Sequence, residues 1–261
     1  MTSMSYEGDI GRIQRAITQT DDMAHRRAIV IEALRLRSGE KVVEVGCGGG
    51  SYTREAADRV GPQGQVRAVD FSSDQVAAAK EHCADLPWVE CSVGDVRALP
   101  YETGAFDAAF AVQVLEYVPE LDQALEELKR VVRVGGRLLV FATNWSSLVW
   151  HSEEPDRMQR ILRAWDAHAP FPDLPAILAY RMRQIGLSVL EQSPVSLPST
   201  SYDETTYSYW IARLIKGFLT ARQIVPLEVL DSWLSEFDEH QARGAFFYCS
   251  TAIMTQATRV H

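Results

Sequence analysis

The segment KVVEVGCGGG, residues 41–50, is the strongest local indication of the fold, because an apolar strand predicted to be buried runs here directly into a glycine-rich turn. Glycine lacks a Cβ atom and adopts positive φ, so such a turn lets the backbone approach a ligand closely. The N–H groups at the start of the following helix then face that ligand. Gly46 and Gly48 fit a dinucleotide-binding fingerprint, but Ser51 stands where its third glycine belongs. The turn therefore predicts a nucleotide-type ligand, and an ordinary tight turn is the alternative.

Strands and helices alternate outward from this turn. The predicted strands cover residues 41–45, 65–70, 88–93, 105–112, 137–142, 187–194 and 245–258. The predicted helices of this part of the chain cover residues 20–36, 51–60, 72–84, 120–132 and 174–184. Such alternation is typical of a parallel sheet with helices on both faces, which binds ligands beyond the carboxyl ends of its strands. We therefore expect an α/β fold with a doubly wound, mostly parallel, seven-stranded Rossmann-like sheet.

The pattern changes after residue 142, where aromatic residues and prolines become frequent. We predict an N-terminal arm or lid at residues 1–20, a ligand-binding core at 21–142, cap insertions at 143–244 interleaved with late core elements at 174–195, and a final strand of the core sheet within 245–261. The arm offers the polar groups of Tyr6, Arg12 and Gln14. The cap insertions carry Trp145, Trp150, Trp165, Phe171, Tyr202, Tyr207, Tyr209 and Trp210. These aromatic side chains suit a cap over an apolar or planar substrate, or equally a core on which helices pack.

Acidic residues stand where the next strands end. Asp70 ends the second predicted strand 20 residues after Gly50, a place where a carboxylate can accept hydrogen bonds from both hydroxyls of a ribose. Asp70 could instead cap the following helix, but Ser72 with Gln75 forms a capping box there and leaves Asp70 for a ligand. Phe71 would lie against an adenine face or pack in the core.

The third and fourth strands end in two further candidate contacts. Asp95 lies in the stretch GDV, residues 94–96, where its carboxylate can accept from an adenine amino group while the Val96 N–H donates to a ring nitrogen. The alternative is a turn aspartate beside a glycine. The fourth strand ends near Val112 and Gln113, whose main-chain groups can hold an amino-acid moiety.

Length and composition narrow the function classes. A chain of 261 residues favours one domain with an embedded cap over two independent domains. Lys and Arg number 26 against 35 Asp and Glu, and the net charge of −9 argues against binding a long nucleic acid. The four cysteines form no CxxC pair, so we expect reduced thiols and no metal site. No apolar run suits a secretory signal or a membrane span, and we expect a cytoplasmic protein.

Four elements in order resemble the class I S-adenosylmethionine-dependent methyltransferases, in particular the small-molecule enzymes related to the ubiquinone and sterol methyltransferases. Between residues 30 and 142, EVGCGGG resembles the family's glycine loop and AVDFS its ribose-binding strand end. GDVRALPYETGAFDAAFAVQVLEYVPE resembles the adenine-binding aspartate with the fourth strand, and LKRVVRVGGRLLVFA the turn into the fifth. The resemblance implies a methyltransferase sheet, S-adenosyl-L-methionine as cofactor and a small-molecule acceptor as partner. It leaves a homodimer open.

The resemblance also assigns cofactor contacts to single residues. The loop 46–50 would contact the methionine end, and Glu44 would brace the loop or accept a hydrogen bond from the ammonium. Asp70 would bind the ribose, Asp95 the adenine, and the main chain at Val112 the methionine amino group. The whole predicted set comprises Glu44, Gly46, Cys47, Gly48, Gly50, Asp70, Phe71, Asp95, Val96, Val112 and Gln113.

Catalytic residues are harder to assign. The sulfonium of the cofactor is already a strong methyl donor, so a general base is needed only when the acceptor must lose a proton. Many relatives have a histidine pair where this chain has Glu116 and Tyr117, and no catalytic residue is carried over to that position. The candidates for a base or an acceptor-orienting group are His151, His168, Tyr202 and Tyr207.

Three functions are compatible with these features. The first is methyl transfer to oxygen, nitrogen or carbon of a small organic acceptor, apolar or aromatic in character. The second keeps the fold and the cofactor but catalyses a non-methylating cyclisation or rearrangement. The third is a non-catalytic regulatory partner that binds S-adenosylmethionine. The intact glycine loop and the roomy cap favour the first.

Overall fold

The computed structural model describes residues 8–261 and contains two compact units. Unit 1 comprises the residues up to Arg26, Thr143–Asp173 and Val195–Thr251. Unit 2 comprises Arg27–Ala142, Leu174–Pro194 and Ala252–His261. All of the predicted cofactor-binding residues belong to unit 2, and the four candidate catalytic residues belong to unit 1.

The strands form the predicted mostly parallel sheet. They are β1 Lys41–Val45, β2 Gln65–Asp70, β3 Val89–Val93, β4 Phe106–Val112, β5 Val132–Thr143, β6 Val149–Trp150, β7 Leu187–Ser199 and β8 Tyr248–Arg259. Neighbours in unit 2 run in the order β3-β2-β1-β4-β5-β8, and β7 pairs with β8. The pairs β1–β2, β1–β4, β2–β3 and β4–β5 are parallel, so the carboxyl ends of these strands lie at one edge. The α/β fold class is confirmed.

One strand more than the predicted seven occurs in the described residues. The additional strand, β6, has two residues and pairs antiparallel with Cys249 and Tyr248 in unit 1. A strand of two residues is too short to show the alternation that predicts strands from sequence.

The helices are α1 Gly8–Thr18, α2 Asp21–Ala33, α3 Ser51–Val60, α4 Ser73–His82, α5 Leu121–Val131, α6 Pro155–Trp165, α7 Leu174–Gln184, α8 Tyr207–Ala221 and α9 Leu227–Ala242. The predicted bounds of α3 and α7 are confirmed, and α2 ends three residues earlier than the predicted Leu36. Helix α5 shows why a helix forms there. Its apolar residues Leu121, Leu125 and Leu128 recur at helical spacing and are all buried.

The turn between α5 and β5 differs from the prediction. A helix ended by Gly135 and Gly136 was expected, with the strand starting at residue 137. Helix α5 ends at Val131 instead, and β5 begins at Val132. The glycines lie inside the strand, where the register with β4 shifts between the pairs Phe106–Val132 and Ala108–Arg137. Gly135 has φ of 74°, so the two glycines form an irregularity in the strand and do not terminate the helix.

Aromatic side chains form the core of unit 1. Trp150 stacks on Phe237 with ring centroids 5.6 Å apart and meets Trp233 edge-on at 5.7 Å. Trp145 meets Trp165 edge-on at 5.6 Å. All of these rings are buried. The sequence left open whether the aromatic residues cover a substrate or form a core on which helices pack. These tryptophans form such a core.

The N-terminal segment is described from residue 8 onward. Helix α1 packs against α8 within unit 1, and its Ile17 is buried in the core of that unit. Tyr6, one of the polar groups considered for a lid, lies outside the described residues. The lid role of residues 1–20 stays a prediction. Among the described residues, no helix combines the length and the apolar character needed to cross a membrane.

Candidate functional site

The glycine turn between β1 and α3 is shaped by three left-handed residues. Gly46, Gly48 and Gly50 have φ of 69°, 51° and 83°. A Cβ atom at Gly46 would lie 2.1 Å from Val114 Cγ2, and one at Gly50 would lie 3.0 Å from Ala79 Cα. Larger residues are therefore excluded at both ends of the turn by its neighbours as well as by its backbone.

The middle of the same turn faces open space. A Cβ atom at Gly48 or Gly49 would meet nothing nearer than Gln75 Oε1, 4.0 Å away. The Gly46 and Cys47 N–H groups donate to Val69 O at 2.7 and 3.1 Å, so these two amides serve the fold. The first turn of α3 offers donors to a ligand, because the first N–H groups of a helix have no acceptor within the helix.

Asp70 connects the end of β2 to this turn. Its Oδ2 accepts from the Gly48 N–H at 2.8 Å, and its Oδ1 accepts from the Ser72 N–H at 2.9 Å. Ser72 Oγ accepts from the Gln75 N–H at 3.4 Å, so Ser72 is the N-cap of α4 as predicted. Asp70 also accepts the Ser72 N–H, and its role in binding a ligand stays a prediction. Each of its oxygens keeps one further lone pair for a ligand.

Two side chains flank Asp70 in contrasting ways. Phe71 is 80% exposed at the end of β2, so the alternative that it packs in the core is wrong. Cys47 is buried, and burial raises the pKa of its thiol well above the usual range. With Val76, Ala79 and Cys91 it forms a small apolar cluster. A buried, protonated Cys47 contributes packing at this place and no nucleophile.

Glu44 lies beneath the turn on β1. Its side chain is 1% exposed, and its Oε2 accepts from Thr53 Oγ1 at 2.5 Å. Burial raises the pKa of Glu44 to about 8. The carboxyl group is therefore mostly protonated at pH 7, and its bond to Thr53 joins β1 to α3. Both roles expected of Glu44 toward the glycine turn and the cofactor stay predictions. Thr53 was not among the residues predicted for the site.

Asp95 is held by an arginine two residues along the chain. Its Oδ1 accepts from the Arg97 N–H at 2.9 Å, and its Oδ1 and Oδ2 each lie 3.0 Å from Arg97 Nε. The hydrogen bonds from Arg97 lower the pKa of Asp95, which stays ionised. Val96 is buried beside it. Arg97 was not among the residues predicted for the site, although its two-residue spacing from an aspartate in a turn is visible in the sequence.

The end of β4 carries an unusual backbone conformation. Gln113 has φ of 58°, one of few positive values at a non-glycine residue, and its N–H donates to Phe141 O at 2.8 Å. Val112 before it is buried, and so is Glu116 in the short 3₁₀ helix that follows. Strained positions of this kind cluster at ligand sites, so Gln113 marks this strand end as a functional candidate.

The two histidines among the candidate catalytic residues differ in exposure. His151 is exposed and stacks on His240, with ring centroids 4.9 Å apart. His168 is 3% exposed and stacks on Trp165 at 3.8 Å, and its Nδ1 lies 2.6 Å from Trp165 O. Burial lowers the pKa of His168 to about 4, so this side chain is neutral at pH 7.

The two tyrosines are both buried in unit 1. The hydroxyl of Tyr202 accepts from Arg213 Nη1 at 2.9 Å, and burial raises the pKa of Tyr202 to about 12. The backbone N–H of Tyr207 donates to Asp22 Oδ2 at 2.7 Å, which fixes the start of α8. Their catalytic roles, like those of the histidines, stay predictions.

Unit 1 also contains a cleft of about 440 Å³ beside α6. Trp145, Trp150, Met158 and Leu162 provide its apolar walls, and Asp166 lies among its polar residues. Among residues 8–261, no three His, Cys, Asp or Glu side chains are grouped as a metal ion would require.

Comparison with known proteins identifies the family. A family model described as a methyltransferase domain matches residues 43–140. An uncharacterized 37.1 kDa protein in transposon TN4556 of Streptomyces fradiae is 30% identical over 248 residues, which make up 93% of this chain and 70% of that protein. The demethylmenaquinone methyltransferase of Staphylococcus aureus is 34% identical over 122 residues, 47% of this chain and 51% of that enzyme. This chain belongs to the class I S-adenosylmethionine-dependent methyltransferases.

The fold of this methyltransferase also occurs in a solved structure of low sequence identity. The YcgJ protein of Bacillus subtilis matches with a TM-score of 0.66 and 17% identity, covering 91% of this chain and 99% of that one. At this level of identity the likeness concerns the fold alone. This chain spans about half the length of the demethylmenaquinone enzyme that it matches.

The cofactor of this class is S-adenosyl-L-methionine, and unit 2 of the methyltransferase has groups that fit it. Open space over Gly48 and Gly49 leaves room for a ligand against the backbone. The Asp70 carboxylate retains lone pairs for ribose hydroxyls. The exposed ring of Phe71 offers an aromatic face to a purine.

Proposed function

We propose that this chain transfers a methyl group from S-adenosyl-L-methionine to an oxygen, nitrogen or carbon atom of a small organic acceptor, apolar or aromatic in character. The observation that carries the proposal is the hydrogen bond from the Gly48 N–H to Asp70 Oδ2. It joins the glycine turn after β1 to the carboxylate at the end of β2, and the open space of the turn lies at this junction.

Each cofactor residue receives a role from its surroundings. Asp70 binds the two ribose hydroxyls with its remaining lone pairs, and Phe71 lies against the purine. Asp95 accepts from the exocyclic amino group of the adenine. The backbone at Val112 and Gln113 holds the methionine amino group, while Glu44 keeps β1 and α3 together beneath the turn through Thr53.

Unit 1 supports the proposed acceptor class. The walls of its cleft combine apolar side chains, Met158 and Leu162 among them, with polar ones such as Gln159 and Asp166, which suits a molecule with an apolar or planar body and polar groups. The net charge of −9 favours a neutral or cationic acceptor over a polyanion.

The chemistry places modest demands on the protein. When bound, the cofactor supplies an activated methyl group on a sulfonium sulfur. The chain must hold the acceptor in line with that group and exclude water, which can contribute several orders of magnitude in rate through positioning alone. A phenol or alcohol acceptor also requires a proton acceptor, and exposed His151 is then the best placed of the four candidates to exchange protons with solvent.

A calorimetric titration with S-adenosylhomocysteine, run beside NAD, tests the cofactor assignment. We expect micromolar binding of S-adenosylhomocysteine, about −8 kcal/mol, and no binding of NAD. Asp70→Ala should abolish binding, whereas Asp58→Ala, which removes an exposed carboxylate on α3, should leave it unchanged. Binding of NAD, or equal affinity of the two variants, would contradict the assignment.

Turnover distinguishes methyl transfer from the alternatives. With a screen of small acceptors, methyl transfer forms S-adenosylhomocysteine in a one-to-one ratio with a product heavier by one methylene group. Conversion of a substrate without S-adenosylhomocysteine would indicate a cyclisation or rearrangement instead. Tight cofactor binding without any turnover across the screen would favour a regulatory partner.

A further inference from the structure

Both the backbone N–H and the side chain of Arg97 donate hydrogen bonds to the Asp95 carboxylate. The Arg97 N–H donates to Asp95 Oδ1 at 2.9 Å, and Nε lies 3.0 Å from each carboxylate oxygen. Nη2 donates to Oδ2 as well. Guanidinium and carboxylate thus form a bidentate pair through Nε and Nη2, an arrangement that fixes orientation as well as charge.

The contacts leave Asp95 with limited acceptor capacity. An ionised carboxylate has about four lone-pair positions, and three donor groups of Arg97 already point at them. The Asp95 side chain is still 31% exposed, so the remaining position is accessible to a ligand. Because the carboxylate stays ionised, it accepts hydrogen bonds and donates none.

The arginine is itself anchored to α5. Its Nη1 donates to Glu120 Oε2 at 2.6 Å, and its carbonyl oxygen accepts from Gln123 Nε2 at 3.1 Å. Two residues further on, the Leu99 N–H donates to Glu127 Oε1 at 2.7 Å. The turn after β3 is therefore attached to α5 and its N-cap at several points. The Arg97 side chain cannot rotate away from Asp95 without losing its bond to Glu120.

We propose that Arg97 is the positioning residue for purine recognition: it orients Asp95 so that the one remaining lone pair meets an exocyclic amino group, and it thereby makes the site select adenine over a 6-oxopurine. The inference rests on the proposed function, since Asp95 is taken to face the cofactor's base. An oxo group at the same position would place two acceptors against each other, which a hydrogen-bonding site rejects.

Calorimetry with two probes tests this role. The probes are S-adenosylhomocysteine and S-inosylhomocysteine, which carries a carbonyl oxygen where adenine has its amino group. We expect the wild-type chain to prefer the adenine compound by about tenfold or more, the size of a hydrogen bond to a charged group. Arg97→Gln should weaken S-adenosylhomocysteine binding and bring the ratio of the two affinities close to one. Arg97→Lys keeps the charge but not the fork, and should restore the ratio only in part.

Two further variants separate positioning from general support. Arg133→Gln removes another arginine–aspartate pair of unit 2, in which Nε donates to Asp107 Oδ1 at 2.8 Å, and should keep the wild-type ratio. Glu120→Gln loosens the anchor of Arg97 and should reduce the ratio with the fold intact, as checked by thermal melting.

The outcomes are distinct. An Arg97→Gln variant that binds both probes more weakly at an unchanged ratio would overturn the inference, because Arg97 would then only support the turn. Tighter binding in that variant would overturn it too, since Arg97 would be competing with the purine for Asp95. Failure of the wild-type chain to bind either probe would overturn the proposed function itself.

Discussion

Replacing Glu44 by Gln should change how stability depends on pH. Glutamine has the shape of the protonated glutamic acid and can keep the hydrogen bond to Thr53, but it cannot ionise. Burial raises the pKa of Glu44 from its ordinary 4.5 to about 8. The unfolded chain therefore releases this proton at a lower pH than the folded chain does, and stability falls as the pH rises from about 4.5 to about 8.

The size of the effect follows from linkage. A single group of this kind changes the free energy of unfolding by about 1.4 kcal/mol per pH unit inside the window. Between pH 6 and pH 8 the wild-type chain should lose about 2 kcal/mol from Glu44 alone. The Glu44→Gln variant should lose none of this, so the two chains should be closest in stability at pH 6 and diverge in favour of the variant at pH 8.

Urea unfolding followed by circular dichroism at the two pH values measures this difference. Glu90→Gln is the matched control, because Glu90 is exposed on β3 and its replacement should leave the pH dependence as it is in the wild type. Parallel loss of stability in the wild type and Glu44→Gln would refute the reasoning. It would mean that Glu44 is already ionised in the folded chain and that burial does not govern its proton.

Other substitutions probe the turn, the buried histidine and the ion pair of unit 1. Gly46→Ala places a Cβ 2.1 Å from Val114 Cγ2 and should lower the free energy of unfolding in urea by about 1–3 kcal/mol. Adding Val114→Ala should recover part of this loss. Unchanged stability of Gly46→Ala would mean that the turn shifts to accommodate the methyl group. The pKa of His168 is about 4, so the wild type should lose stability as the pH falls from 6.5 to 4. His168→Phe should reduce this loss, which calorimetric melting across that pH range measures. An equal loss in the variant would contradict the prediction. In the wild type, Arg157 Nη2 lies 2.6 Å from Glu236 Oε2. Glu236→Gln removes this negative charge and should lower the free energy of unfolding by about 3 kcal/mol, because it leaves the guanidinium without its counter-ion. Arg157→Met in the Glu236→Gln background should recover most of that loss, and failure to recover it would point to packing instead.

Local sequence patterns predicted the elements whose determinants are local. Helix α7 was bounded correctly by its apolar spacing and the following Gly186, and β1 and β2 by short apolar runs that end in turn residues. Asp70 was found because its place at the end of β2 follows from counting along the chain. The prediction for Gly135 and Gly136 was wrong because it used only local sequence, which assigns two glycines to the end of a helix. The pairing of β5 with β4 places them inside a strand.

Which side chains are buried, and beside what, was decided only by the tertiary structure. Nothing near Glu44 in the sequence indicates a carboxyl group whose pKa is raised to about 8, because the burial comes from the elements packed around β1. The anchoring of Arg97 by Glu120 joins residues that are 23 positions apart. Local patterns in the chain were enough to predict the α/β fold and the class of the protein, because strand ends, glycines and caps act over a few residues. Protonation of Glu44, the bond between Arg97 and Glu120 and the burial of the cap tryptophans depend on the tertiary structure, because desolvation and these hydrogen bonds need atoms that only folding brings together.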